Sequence, residues 1–186
     1  MRLIISDMHK EIVVLIGGPS SGKTTLIEAL KQNGHTCYPE VSREVIKEAQ
    51  EQGIEQLFLE NPLLFSELLL EGRKKQFSAA QNETNSLVFL DRGIPDVLAY
   101  MHYIGDSYPA FFDQACKEHR YNSIFVLPPW QDIYVSDDER YENYEQAVLI
   151  HKHLLETYEK YGYSIVEVPR DTVENRVNFV LNHLSL

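Results

Sequence analysis

Short apolar runs alternate with longer amphipathic stretches along most of the chain. The runs at 12–16, 36–38, 87–90, 123–127 and 164–168 are β-branched, aromatic or leucine-rich and bounded by turn residues, which predicts five strands. Between them lie stretches with helical periodicity. The first covers 23–32 and ends at Asn33-Gly34, a favourable helix stop. A second covers 42–52 and is closed by Gly53. Asn61-Pro62 opens a third that runs to about residue 81, proline being well tolerated in a first helical turn. Further helices are expected over 94–104, 109–118, 137–161 (closed by Gly162) and 172–184, the last capped by Asp171 or Thr172. Residues 2–5 are either a short leading strand or a frayed tail.

Strands separated by helices imply a parallel sheet with both faces covered. The expected fold class is therefore α/β: three α/β/α layers around a central parallel sheet. Such sheets bind ligands beyond the carboxyl ends of their strands. That rule selects five clusters, 17–24, 39–43, 91–93, 128–130 and 169–171, which should converge on one crevice.

The first cluster carries the strongest chemical signal. Gly17-Gly18-Pro19-Ser20-Ser21-Gly22-Lys23-Thr24-Thr25 fits G-x-x-x-x-G-K-[ST] and sits between an expected strand and an expected helix, the context in which a phosphate loop works. Glycines let backbone N–H groups wrap a phosphate, and the following helix points its positive end at the same anion. Lys23 is expected to reach the β- and γ-phosphates, and the Thr24 hydroxyl to hold magnesium. The expected cofactors are thus a nucleoside triphosphate and magnesium.

The other strand ends supply candidates for what happens to the γ-phosphate. Asp91 closes an apolar strand, where it would complete the magnesium site, polarise an acceptor or merely cap a helix. Arg92 could fork onto a substrate or form a surface salt bridge. Glu40 could take a proton from an acceptor hydroxyl or cap the next helix. Arg43 could bind substrate or pair with Glu40 or Glu44. Arg140 sits where a mobile lid would hold a cation over a transferring phosphoryl group, or is an exposed helix arginine. Trp130 either lines the pocket or anchors its loop.

Composition narrows the classes. A net charge of −11 argues against broad attraction to nucleic acid or an anionic membrane. Cys37 and Cys116 lack metal-ligand spacing and read as reduced thiols, and His151 and His153 are too close to share a helix face. No apolar run reaches membrane-spanning length and the start has no signal-peptide pattern, so a cytoplasmic protein is expected. There is no N-K-x-D base-reading motif and no L-S-G-G-Q signature, which argues against Ras-type GTPases and transporter ATPases. Two readings remain: a kinase of a small hydroxylated, nucleoside-like acceptor, or an ATPase coupled to a regulatory partner with no small acceptor.

The phosphate loop, Glu40-Val41-Ser42-Arg43-Glu44, Phe89-Leu90-Asp91-Arg92-Gly93 with Asp96 and Ala99-Tyr100, and Asp138-Glu139-Arg140-Tyr141 together resemble one family. It is the AAA-type P-loop ATPase/kinase family that includes the ribosylnicotinamide kinase domain of bacterial NAD-biosynthesis regulators. The segment from Asp91-Arg92 to Ala99-Tyr100 is also similar to that of thymidylate kinases. The resemblance implies a P-loop NTPase fold with a helical lid, ATP and magnesium at Lys23 and Thr24, Asp91 at the metal and acceptor, and Arg92 beside the substrate. It also implies Arg140 as the lid cation and the Pro169-Arg170-Asp171 turn near the adenine. It leads us to expect one kinase-like domain over 1–186, without the adenylyltransferase and DNA-binding parts of those regulators.

Overall fold

The structure is a computed structural model and describes residues 10–134 and 142–185. Five strands form one sheet: β1 (Glu11–Ile16), β2 (Thr36–Tyr38), β3 (Leu87–Asp91), β4 (Ser123–Val126) and β5 (Ile165–Glu167). Their order is β2-β3-β1-β4-β5 and every pair is parallel. β1 lies in the centre, with Val13 opposite Phe89 of β3 and Leu15 opposite Phe125 of β4.

Eight α-helices are described: α1 (Lys23–Gln32), α2 (Val41–Glu51), α3 (Leu57–Glu60), α4 (Pro62–Asn82), α5 (Ile94–Ile104), α6 (Ala110–Glu118), α7 (Tyr144–Lys160) and α8 (Val173–His183). The strand alternation divides the core. Val13, Leu15, Phe89 and Phe125 face one way and pack with Leu26, Leu30, Val177 and Val180 of α1 and α8. Ile12, Val14, Val88, Leu90 and Ile124 face the other way and pack with Phe77, Ala99, Ile150, Leu154 and Tyr158 of α4, α5 and α7. An apolar residue at every central strand position is what burial on both faces demands. The result is the three-layer α/β/α arrangement expected from the sequence. A third cluster joins α2, α4, α5 and α6 around Val45, Leu70, Ile94 and Phe112.

Most helix ends follow the local signals. The Asn61 side chain accepts a hydrogen bond from Leu64 N at 3.2 Å, with Pro62 opening the first turn. Thr172, one of the two expected caps, accepts from Asn175 N at 3.2 Å. One boundary corrects the sequence reading. The late helix was expected from residue 137, but residues 142 and 143 are not helical and α7 starts at Tyr144. Asn143 and Gln146 form a reciprocal capping box there, with N···O distances of 2.9 and 2.8 Å. The expected leading strand at 2–5 and the lid-like segment with Arg140 lie outside the described residues. Among the described residues no helix is long and apolar enough to cross a membrane.

Candidate active site

Because β1 is central, the loop that follows it emerges midway along the sheet's carboxyl edge. Two of its glycines are dictated by space and backbone. Gly17 has φ 156°, and a Cβ there would stand 2.6 Å from the Leu127 carbonyl oxygen, on the neighbouring strand end. Gly22 has φ 83°, and a Cβ would stand 2.7 Å from an Arg176 nitrogen.

Lys23, in the first turn of α1, is buried. Its Nζ donates to the carbonyl oxygens of Gly17 at 2.8 Å and Gly18 at 3.1 Å, so the chain folds back over its own loop. Burial, aided by the Arg92 charge, lowers its pKa to about 8, against the upward pull of Asp91, Glu40 and Asp96. An ammonium so placed forms no direct ion pair among the described residues, although Asp91, Glu40 and Asp96 act on it from further off. Thr24 and Thr25 are exposed on the same turn.

Asp91 ends β3 and is buried, and its Oδ1 has no hydrogen-bond partner. Burial raises its pKa, with Glu40 and Asp96 adding and Lys23 and Arg92 opposing. A buried carboxyl oxygen without a partner fits a cation bound there. Among the described residues no three His, Cys, Asp or Glu side chains cluster as metal ligands. A magnesium ion at this loop would therefore rest on Thr24, Asp91, water and phosphate oxygens, which suits its coordination habits.

Beside Asp91 lies a chain of charges. Glu40 accepts from Arg73 Nη2 at 3.1 Å through Oε1, and its Oε2 pairs with Arg92 Nε. Arg92 Nη1 reaches Asp96 Oδ1 at 3.2 Å. Burial alone would raise the Glu40 pKa, but Arg92, Arg73 and Lys23 together outweigh it and hold the carboxyl below its ordinary value. Glu40 is thus an ionised carboxylate at the end of β2. The alternative expected for it is also present: it is the N-cap of α2, though its contact with Ser42 N is long at 3.5 Å. Arg43 is exposed and makes no ion pair among the described residues; the partners of Glu40 are Arg73 and Arg92 instead.

On the other side of the loop a cleft of about 400 Å³ is lined by Gly22, Thr24, Trp130, Ile133, Val173 and Arg176. Arg176 Nη2 donates to the Ser21 carbonyl at 3.0 Å, and its guanidinium lies 6.0 Å from the centre of the Trp130 ring. Its Nε is buried without a partner. Trp130 lines this cleft, one of the two roles expected for it. The 169–171 turn borders it through Asp171, while the Arg170 side chain ties that turn to the Pro129 carbonyl, Nε to O 3.0 Å.

The chain belongs to the AAA domain family. The family's profile matches residues 12–176, which spans every element from β1 to the first turn of α8. No curated protein matches this AAA domain in sequence. Solved structures do resemble it. A deoxyadenosine kinase from M. mycoides, bound to dCMP and dCDP, superposes with a TM-score of 0.68 at 17% identity over 94% of this chain and 98% of its own. NadR in complex with NR gives 0.73 at 19% identity, over 95% of this chain and 51% of NadR, so the chain spans about half of that protein. Thymidylate kinase from Candida albicans gives 0.68 at 16% identity, over 95% and 92%. At these identities the likeness establishes the fold, that of P-loop kinases and NTPases.

The strand-end rule found Glu40, Asp91, Arg92 and Trp130. It missed Arg73, Tyr158 and Arg176, which reach the site from helices. A signal existed for two of them. Arg73 falls in phase with the buried stripe of Leu69, Leu70, Phe77 and Ala80, and Arg176 adjoins the stripe of Val177 and Val180. A charge within an apolar stripe needs a buried partner.

Proposed function

We propose that this AAA domain is an ATP- and magnesium-dependent phosphotransferase acting on a hydroxyl of a small, nucleoside-like acceptor, with residues 1–186 forming one kinase-like domain. One observation carries the reading: a buried Lys23 ammonium with no direct ion pair and a buried Asp91 carboxyl oxygen without a partner share a sheet edge with the Glu40–Arg92 pair. The fold shared with deoxyadenosine kinase, thymidylate kinase and NadR supports it.

In this mechanism Lys23 and the loop backbone hold the β- and γ-phosphates, and the base of the donor occupies the cleft between Trp130 and Val173, near the 169–171 turn with Arg170. Thr24 and Asp91 would hold magnesium, which would supply positive charge to stabilise the transferring phosphate. The acceptor lies at the ends of β2 and β3, with Arg92 and Arg43 available to bind it. Its oxygen attacks the γ-phosphorus, the bond from that phosphorus to the β,γ-bridging oxygen breaks, and ADP leaves. Glu40, ionised and next to Arg92, accepts the hydroxyl proton, and Asp91 serves the metal. Arg140 supplies the lid cation.

A screen for acceptor-dependent ADP release across nucleosides, nicotinamide riboside, vitamins and sugars tests this, with Lys23→Ala as control. The expected result is release that depends on one acceptor class and vanishes in the folded variant. Hydrolysis indifferent to every small acceptor and raised by a macromolecule would establish the partner-coupled ATPase instead.

A further inference from the structure

Arg92 is held in an unusual way. Its backbone is left-handed, with φ 73°, a region that residues bearing a side chain rarely adopt. Four contacts hold it there: its N–H donates to Leu15 O at 3.1 Å, its Nε meets Glu40, its Nη1 meets Asp96 at 3.2 Å, and its guanidinium lies 5.4 Å from the centre of the Tyr100 ring. The Nη2 edge has no protein partner among the described residues, which leaves it for a ligand. The direction of that edge therefore depends on where Asp96 stands.

Asp96 is fully buried in the first turn of α5. Its Oδ2 accepts from Gly93 N at 2.9 Å and from the Tyr158 hydroxyl at 2.6 Å. Tyr158 comes from α7, 62 residues further on, and is itself fully buried. Space for its hydroxyl is made by a glycine: a Cβ on Gly93 would stand 2.6 Å from that oxygen. A glycine gap, a buried phenol and a buried carboxylate thus end on one face of Arg92. A phenol that served only as filling would not need a carboxyl partner in a dry core.

We infer that Tyr158 and Asp96 are positioning residues: they fix the Arg92 guanidinium so that its Nη2 edge meets the acceptor while Nε stays on Glu40. The inference rests on the phosphotransferase reading for its kinetic consequence, but not for its physical one.

The test is Tyr158→Phe, which removes one oxygen and keeps the ring. Its readouts are the Arg92 Nε–H signal by nuclear magnetic resonance, assigned through Arg92→Lys, and steady-state kinetics with the acceptor found by the screen. In the variant the Arg92 Nε–H is expected to exchange with water at least several-fold faster, and the acceptor KM to rise roughly 3- to 10-fold, with the ATP KM unchanged. Loss of packing alone would lower kcat through fewer active molecules and leave both KM values alone. Gly93→Ala, which displaces the same hydroxyl from the other side, should reproduce the pattern. An unchanged Arg92 signal in folded Tyr158→Phe overturns the inference, and so does a loosened Arg92 with an unchanged acceptor KM. If no acceptor is phosphorylated by the parent protein, the phosphotransferase reading fails, while the resonance arm still decides whether Tyr158 sets Arg92.

Discussion

Burying the Lys23 amine costs the protein stability, and the cost is measurable. Its pKa is lowered from 10.5 to about 8, mainly by burial. Between those values the unfolded chain holds a proton that the native chain has released, so the penalty is fully present below pH 8 and fades as pH rises toward 10.5. A shift of that size corresponds to about 3 kcal/mol of destabilisation at pH 7 and about 1 kcal/mol at pH 9.5. Lys23→Met removes the charge, keeps an unbranched chain and removes the penalty. It also strips the Gly17 and Gly18 carbonyls of a donor, a loss that does not vary with pH over this range. The decisive quantity is therefore the change with pH in the stability difference between parent and variant, obtained from urea unfolding without nucleotide. Lys23→Met should gain on the parent at pH 7, and the parent should recover about 2 kcal/mol of the difference by pH 9.5. A difference that stays constant from pH 7 to 9.5 would refute the claim that the amine is desolvated.

Three further outcomes follow from the same geometry. In the phosphotransferase, kcat/KM for ATP should fall as pH rises past about 8, as free Lys23 loses its proton, and a flat profile to pH 9.5 would count against its phosphate-binding role. Trp130 is the sole tryptophan and lines the cleft, so saturating ATP should change intrinsic fluorescence, and Arg176→Ala should weaken the response; a silent titration with bound nucleotide would exclude that cleft as the base site. Glu40→Gln leaves Arg73 and Arg92 short of a carboxylate, so stability at pH 7 should drop by about 3 kcal/mol and transfer by about 100-fold. Because its folded pKa is lowered, the Glu40 contribution is complete above about pH 4.5 and lost as pH falls through the folded value, so the variant should unfold less steeply in acid.

All five strands were legible because each is a short apolar run whose neighbours are turn residues, and parallel pairing follows from the helices between them. The start of α7 was not. Asp137-Asp138-Glu139 and Asn143-x-x-Gln146 are both acceptable first turns, and local sequence does not rank two competing caps. At the site, legibility followed distance along the chain from a strand end. Glu40 and Asp91 stand at strand ends, where topology alone says what they face. Arg73 meets Glu40 across 33 residues and Tyr158 meets Asp96 across 62, through helix packing that periodicity does not specify. Arg170 and Arg176 show the same limit: the turn was found, but the arginine that enters the cleft lies six residues further on, in the first turn of α8.

The bond from Arg176 to the Ser21 carbonyl also has a meaning in time. A ribosome makes Ser21 155 residues before it makes Arg176. The loop after β1 is therefore made long before one wall of its cleft, which arrives with α8. A growing chain carries that loop unwalled for 155 residues of synthesis, and a closed cleft reports that α8 has docked.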